Sequence, residues 1–213
     1  PDYVACLGKI GENLLIEQGV PSQRILSAAA LRQSMPKSQS VNKKLKKEIL
    51  ILLSMSVEAS AETLIKVYSN NQLIVNELNL KVKVKTHPML KTKTILKKIN
   101  WDKLPHGWEW TKRDLYSELK DSYCTISMFT ASIYDAIFSN NITISLMSDL
   151  NLMDNYLDLF QNKYSLAHTV PESELALKLK DIFIAKNQHY NEEFLKMREE
   201  IVAGINLINE KNL

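Results

Sequence analysis

The chain has 213 residues, of which 45% are hydrophobic and 24% charged, a balance typical of a folded globular protein. It contains only 5 glycines and neither G-x-x-x-x-G-K-[ST] nor G-x-G-x-x-G, which excludes P-loop NTPases and simple dinucleotide-binding domains. The 27 basic residues exceed the 24 acidic ones by only 3, so the charge gives no reason to expect a nucleic-acid partner.

The first part of the chain predicts a strand, a short helix and a second strand. A segment rich in Ser, Gln, Lys and Pro follows and is typical of a linker. The chain begins Pro-Asp-Tyr-Val without a methionine, and we expect it to be a piece of a longer protein. We therefore interpret 1–32 as the end of a largely missing N-terminal α/β domain, 33–47 as a linker, and 48–213 as a C-terminal domain.

From residue 48 onward, apolar runs of strand length alternate with helical patterns. Strands are predicted at 49–53, 81–85, 123–127, 142–147 and 164–168, with an extended segment at 101–110. Helices are predicted at 58–78, 89–99, 111–119, 132–139, 171–185 and 190–208. This alternation predicts a parallel sheet of about five or six strands with helices on both faces, so that ligands should bind beyond the carboxyl ends of the strands.

Three local features of the sequence lead to further predictions. The alternating Lys and Val of 81–85 are interpreted as a strand with a solvated lysine face. Thr111 and Asp114 have the spacing of a capping box, which places the start of a helix at Thr111. The tryptophans at 101, 108 and 110 are expected to pack in the core or at a domain interface rather than against a nucleotide base.

Two strand ends carry side chains suited to an anion. His87 precedes a proline, which favours an extended backbone and displays the imidazole at the rim of the sheet. Lys85 and His87 together offer a fixed charge and a hydrogen-bond donor to a phosphate, although a solvent-exposed histidine on a lysine-rich edge explains them equally well.

The second strand end lies before the predicted helix 132–139. Thr130 and Ser132 bring hydroxyls to the start of that helix, where backbone N–H groups and the helix dipole favour an anion. Asp135 lies three residues inside this helix and can hold ribose hydroxyls or complement the dipole. Taken alone, an ordinary helix cap explains Thr130 and Ser132 best.

In combination, these motifs resemble the carboxy-terminal half of two-domain (GT-B) glycosyltransferases, and among them bacterial capsule and surface-carbohydrate transferases with His-Pro and Ser motifs. Lys85-Thr86-His87-Pro88 matches the first motif, and Thr-Ala-Ser-Ile-Tyr-Asp-Ala at 130–136 matches the second. Residues 17–25 resemble the last helix and strand of such an enzyme's first domain. The resemblance implies a Rossmann-like domain and transfer of a sugar from a nucleotide-sugar to a surface polysaccharide or glycolipid.

The resemblance also implies roles for five residues: phosphate ligands Lys85, His87, Thr130 and Ser132, and the ribose ligand Asp135. Two positions depart from the family pattern. Ala131 replaces a usual hydroxyl, and Ser127 stands where the E-x7-E pattern of many retaining transferases would require Glu. The general base of many such enzymes lies in the first domain, so we expect the fragment by itself to be inactive.

The sequence contains no Asp-x-Asp motif and no zinc-spaced cluster, so we expect no metal and no cofactor beyond the nucleotide-sugar substrate. We expect a cytoplasmic enzyme, with peripheral association at the inner face of the membrane as an option. Three alternatives stay open. They are a polyol-phosphate transferase of the teichoic-acid type, a non-catalytic nucleotide-binding or interaction module, and a sugar-nucleotide 2-epimerase. The epimerase ranks lowest because 130–136 lacks that family's glycines.

Overall fold

The computed structural model describes residues 2–28, 47–149, 167–184, 193, 195–197 and 199–200. The chain divides into two compact units, one of 1–39 with 192–213 and one of 40–191. Most of the predicted linker 33–47 and of the predicted helix 190–208 lies outside the described residues.

The first unit contains a small parallel sheet of its own. Strands β1 (Val4–Leu7) and β2 (Ile25–Ala28) pair in register, and helix α1 (Gly8–Glu17) connects them. The helix ends at Gly19, whose φ of 86° lies in the left-handed region that glycine adopts without strain. This is the strand–helix–strand order that the sequence predicts. Its assignment to the end of an N-terminal domain stays a prediction.

The second unit is built on a six-stranded sheet whose neighbouring strands are all parallel. Its strands are β3 (Glu48–Leu52), β4 (Lys81–Lys85), β5 (Trp108–Trp110), β6 (Cys124–Ser127), β7 (Ile142–Leu146) and β8 (Ala167–Val170). Its helices are α2 (Val57–Tyr68), α3 (Thr92–Lys98), α4 (Leu115–Asp121), α5 (Ser132–Phe138) and α6 (Glu172–Ile184), and a π-helical turn (Gln72–Glu77) follows α2. The predicted Rossmann-like α/β class is confirmed.

The central strands are hydrophobic on both faces because helices cover both faces of the sheet. Ile49, Leu50 and Ile51 of β3 are fully buried. Leu50 and Leu52 belong to one core cluster with Leu119 of α4 and Ala136 of α5. Burial of such a side chain stabilises the fold by about 1.5–3 kcal/mol, so these contacts fix the sheet against α4 and α5.

The strand order is β5-β4-β3-β6-β7-β8, which is the 3-2-1-4-5-6 order of doubly wound folds. Helix α2 leads from β3 to β4 on one side, whereas α5 leads from β6 to β7 on the other. Because the chain departs in opposite directions from β3 and β6, a crevice opens beyond their carboxyl ends. Ligands of such sheets bind at this switch point.

The start of α4 differs from the sequence prediction. The helix begins at Leu115 and its cap is Asp114, whose Oδ1 accepts a hydrogen bond from Ser117 N at 2.9 Å. Thr111 does not cap the helix because its backbone N–H continues the sheet, donating to the Val84 carbonyl at 3.0 Å. The predicted cap therefore lies three residues too early, because Thr111 is still bonded to the sheet.

The helix predicted at 58–78 is also interrupted. It ends at Tyr68, where Ser69 Oγ and Asn70 Nδ2 donate to the Lys66 carbonyl at 2.8 and 3.2 Å. These side chains compete with the backbone for the helical acceptors, and the chain continues as a π-helical turn. The strand predicted at 164–168 is observed at Ala167–Val170, and 150–166 lies outside the described residues.

Candidate functional site

The β3–α2 turn lies at one side of the crevice and consists mainly of serines. Ser56 caps α2, its Oγ accepting from Ala59 N at 3.2 Å. The buried Ser54 accepts from Ser56 N at 3.2 Å through Oγ, and its carbonyl accepts from Ser60 Oγ at 3.1 Å. No role for these serines was predicted from the sequence. The sequence feature that could have predicted the cap is Ser56, which stands directly before the helical pattern of α2.

The β6–α5 turn forms the other side of the crevice. Thr130 Oγ1 accepts from Ser132 N at 3.3 Å, and the Thr130 carbonyl accepts from Ile133 N at 3.2 Å, so Thr130 begins the first turn. Phe129 immediately before it has a φ of 51°, a left-handed conformation that is costly for a bulky residue. Backbone strain of this kind is found preferentially at ligand sites.

His87 lies beyond the end of β4, the strand next to β3. Its side chain is half-buried, and its Nδ1 accepts a hydrogen bond from Met89 N at 3.3 Å. The His87 carbonyl accepts from Leu90 N at 2.9 Å, which closes the turn into α3. With Nδ1 occupied as an acceptor, the neutral ring carries its proton on Nε2, which is then a hydrogen-bond donor.

Lys85 is half-buried at the end of β4, and its amine donates to the Arg113 carbonyl in the β5–α4 connection. An ammonium group has three N–H donors, so two are left for other acceptors. The structure thus gives Lys85 an anchoring contact with a neighbouring turn that the sequence analysis did not foresee.

Asp135 is more deeply buried than a ribose ligand would be expected to be. It is 2% exposed, and the Tyr116 hydroxyl donates to its Oδ1 at 3.5 Å. Tyr116 itself is 57% exposed at the start of α4. The Asp135 carboxylate is therefore buried and in contact with the Tyr116 hydroxyl, so a ribose hydroxyl would reach it only after its surroundings rearrange.

The topology brings together the ends of β4, β3 and β6, which are adjacent strands. With neighbouring strands about 4.8 Å apart, the ends of β4 and β6 are separated by about 10 Å. His87, Ser56 and the Thr130–Ser132 turn therefore border one crevice. A nucleoside diphosphate is long enough to contact all three.

Exposed methionines follow three strands at the same edge. Met55 follows β3, Met89 follows β4 and Met147 follows β7, and they are 66%, 76% and 49% exposed. Methionine is adaptable and apolar, and exposed groups of such side chains mark surfaces that a ligand or another domain covers. This edge of the sheet is therefore partly apolar rather than uniformly polar.

The lysine face of β4 is solvated only in part: Lys81 is exposed, as predicted from the sequence, but Lys83 is largely buried. Lys83 Nζ lies 3.1 Å from Glu48 Oε1 and 3.2 Å from Oε2 of the fully buried Glu118. Burial lowers the pKa of Lys83, but hydrogen bonds and the charges of Glu48 and Glu118 outweigh it, so the pKa lies above its ordinary value. The prediction is wrong for Lys83 because α4 brings the carboxylate of Glu118 onto this face.

A cavity of about 560 Å³ lies where the last turn of α2 meets the residues following β7 and β8. On its wall, Lys66 Nζ contacts the Met147 carbonyl at 2.8 Å and Glu62 and Asp149 at 3.0 Å each. Ser148 Oγ also donates to Glu62 Oε2 at 2.7 Å. These bonds fix the turn after β7 to α2.

Trp108 packs in the core, as expected from the sequence, whereas Trp101 and Trp110 are partly exposed. Trp108 is buried, its ring lies edge-on to those of Tyr68 and Trp101, and its Nε1 donates to Asn71 Oδ1 at 2.7 Å.

Within 2–28, 47–149 and 167–184, no group of three or more His, Cys, Asp or Glu side chains is placed to hold a metal ion. None of the described helices has the length and apolar character needed to span a membrane.

Comparison with solved structures identifies the fold. A Methanocaldococcus jannaschii UDP-GlcNAc 2-epimerase in complex with UDP-GlcNAc and UDP matches with a TM-score of 0.62 and 16% identity over 93% of this chain. A TarM variant from S. aureus, in complex with Fondaparinux, alpha-GlcNAc-glycerol and UDP, matches with a TM-score of 0.60 and 15% identity over 96%. The lipopolysaccharide outer core galactosyltransferase WaaB matches with a TM-score of 0.51 and 8% identity over 93%.

The chain has the Rossmann-like fold of a GT-B carboxy-terminal domain. It spans 61%, 41% and 57% of those three chains. No family model and no curated protein sequence matches it. The epimerase and the transferases share this fold, so the fold by itself does not choose between their reactions.

Proposed function

We propose that residues 48–184 form the donor-binding part of a GT-B glycosyltransferase that takes its sugar from a nucleotide-sugar. The observation that carries this proposal is the switch point between β3 and β6, where His87, Ser56 and Thr130 border one crevice. The fold resemblance supports a nucleotide-sugar because the epimerase and TarM structures both contain UDP. UDP is accordingly the nucleotide we propose.

In this proposal the diphosphate lies across the crevice. His87 donates from Nε2 to a phosphate oxygen. The Thr130 hydroxyl already accepts from Ser132 N, so its own proton is available to a second oxygen. The Ser132 hydroxyl and the remaining N–H donors of Lys85 supply further contacts. Asp135 binds the ribose once its surroundings have rearranged.

The reaction breaks the bond between the anomeric carbon and a diphosphate oxygen, and the bond electrons stay on the departing diphosphate. Hydrogen-bond donors fixed beside that oxygen stabilise its charge as it develops. We propose that His87, Lys85 and Thr130 do this without a metal ion, which the lack of an Asp-x-Asp motif supports. An acceptor hydroxyl attacks the sugar and loses its proton to a base outside this chain, so the chain alone is inactive.

The acceptor in this proposal is a surface polysaccharide or glycolipid of a bacterium, and the enzyme works in the cytoplasm at the inner face of the membrane. This part rests on the His-Pro and Ser motifs. The epimerase alternative is weaker because epimerases of this kind place glycines where Ala131 and Ser132 stand. Without them the backbone approaches a diphosphate less closely.

Calorimetric titration of the 213-residue chain with UDP, CDP, CMP and uridine tests the proposal. We expect UDP to bind most tightly and uridine more weakly, since uridine lacks the phosphates. Absence of saturable binding of all four ligands would reject the donor-site assignment. Binding of CMP or CDP in place of UDP would keep the site but correct the nucleotide.

A further inference from the structure

A second cavity lies on the flank of α3 and shares no residue with the proposed donor site. It has a volume of about 480 Å³ and is lined by Lys93, Leu96, Lys97, Asn100, Trp101 and Asp102. We call these six residues the Trp101 pocket. The loop that carries Trp101 precedes β5, so it lies at the amino edge of the sheet, opposite the crevice. The pocket is therefore separate from the donor site.

The indole of Trp101 is held rigidly. It lies edge-on to Tyr68 at 5.0 Å and to Trp108 at 6.4 Å between ring centroids, and its backbone N–H donates to the Leu96 carbonyl at 3.0 Å. The side chain is nevertheless partly exposed. Its Nε1–H has no partner among the described residues and is available as a donor. A fixed, partly open indole is a stacking surface ready for a flat apolar face.

The pocket also lies in a basic stretch of the chain. Residues 91–103 contain five lysines and one aspartate, a formal charge of +4 within a chain whose total is +3. Lys93 and Lys97 are exposed, and within the described parts of the chain no carboxylate pairs with them. One or two cations suffice to complement a helix C-terminus, so the dipole of α3 does not account for all five.

We propose that the Trp101 pocket binds an acidic sugar unit of a glycan chain. The apolar face of a pyranose stacks on Trp101, and Lys93 and Lys97 pair with its carboxylate or phosphate. Asn100 and Asp102 hydrogen-bond its hydroxyls. The Asp102 carboxylate favours a hydroxyl-bearing sugar over nucleic acid or a lipid surface, because it accepts hydrogen bonds from hydroxyls and repels closely spaced phosphates. Identification of the ligand as a glycan rests on the proposed function; the charge and shape of the pocket do not.

The test is a titration of the 213-residue chain with tetragalacturonate, monitored by calorimetry and by tryptophan fluorescence. Neutral maltotetraose is the control sugar. We expect Lys97→Glu to weaken tetragalacturonate binding about tenfold, the loss expected for one charge-assisted contact. Lys120→Glu is the matched control, because Lys120 is also an exposed lysine in the last turn of a seven-residue helix. Trp101→Phe, which keeps a stacking ring, should bind better than Trp101→Ala.

Equal losses in Lys97→Glu and Lys120→Glu would overturn the proposal, because the binding would then depend on net charge alone. Failure of tetragalacturonate to bind would overturn it too, as would tighter binding of duplex DNA or anionic phosphatidylglycerol vesicles. Titrations with UDP keep the two proposals apart, and Lys97→Glu should bind UDP as well as the unaltered chain does. If the unaltered chain binds tetragalacturonate but not UDP, only the donor site is rejected.

Discussion

Leu52 of β3 and Ser127 of β6 are register partners at the carboxyl ends of two neighbouring strands. Beyond this pair the chain turns into α2 on one side and α5 on the other, toward opposite ends of the sheet. The crevice therefore begins directly above Leu52 and Ser127, and the turns at Ser56 and Thr130 form its two walls. The family pattern of retaining transferases would place a Glu at 127, whereas this chain places a buried serine there.

Substitution of Thr130 tests one wall of the crevice. Thr130→Val keeps the shape of the side chain but removes the hydroxyl that accepts from Ser132 N and, in our account, donates to a phosphate. We expect UDP binding to weaken about tenfold, and stability to fall by about 1 kcal/mol through loss of the hydrogen bond from Ser132 N. Thr130→Ser, which keeps the hydroxyl, should bind UDP nearly as well as the unaltered chain. Calorimetry that finds both variants equally weak would contradict the role of the hydroxyl.

Lys83→Met should destabilise the sheet. The substitution leaves the carboxylates of Glu48 and Glu118 without the ammonium that lies 3.1 and 3.2 Å from them. Breaking a buried ion pair on one side costs about 3 kcal/mol, measurable as a lower free energy of unfolding in urea. Lys81→Met is the control, since Lys81 lies on the same strand and face but is exposed.

The double variant Lys83→Met with Glu118→Gln separates the charge effect from packing. It should recover part of the lost stability, because Glu118 no longer carries an uncompensated charge. A double variant that is less stable than Lys83→Met alone would show that the carboxylate of Glu118 is stabilised mainly by Thr111 and Arg113.

The sequence predicted the strands well because their signal is local. Apolar runs at 49–53, 123–127 and 142–147 correspond closely to β3, β6 and β7. The ion pairs of Lys83 were not predictable, since Glu118 is 35 residues away in sequence and only the packing of α4 brings it onto β4. Asp135 shows the same limit. Its position on α5 was foreseen, but Tyr116, which contacts it, comes from another helix.

Because of the cap of α4, the stability of the fold should depend on pH in the acid range. A hydrogen bond from Ser117 holds the pKa of Asp114 below its ordinary value of 3.8. A depressed pKa means that the unfolded chain binds the proton more readily. The contribution of Asp114 is therefore complete above the ordinary pKa and disappears as the pH falls through the lower folded value. Urea unfolding between pH 2 and 6 should show a weaker pH dependence for Asp114→Asn, and an unchanged dependence would contradict the cap.

Asp135→Asn tests the ribose contact. Because the ribose is common to uridine and UDP, we expect both ligands to lose affinity by the same factor, about tenfold, for a lost hydrogen bond to a charged group. Asp135 is buried, so a thermal melt must show that the variant is folded. Tyr116→Phe removes the hydroxyl that contacts Asp135 and should not weaken either ligand. Loss confined to UDP would place Asp135 near the phosphates instead.

The most direct test of the donor site is calorimetry of His87→Ala with UDP and uridine side by side. Loss of one charge-assisted hydrogen bond to phosphate should weaken UDP about ten- to a hundredfold and leave uridine unchanged. His106→Ala is the matched control, because His106 is exposed in the loop before β5, at the opposite edge of the sheet, and should leave both ligands unaffected. An equal loss for UDP and uridine in His87→Ala, or no loss for either, would contradict a phosphate site at His87 and with it the proposed donor crevice.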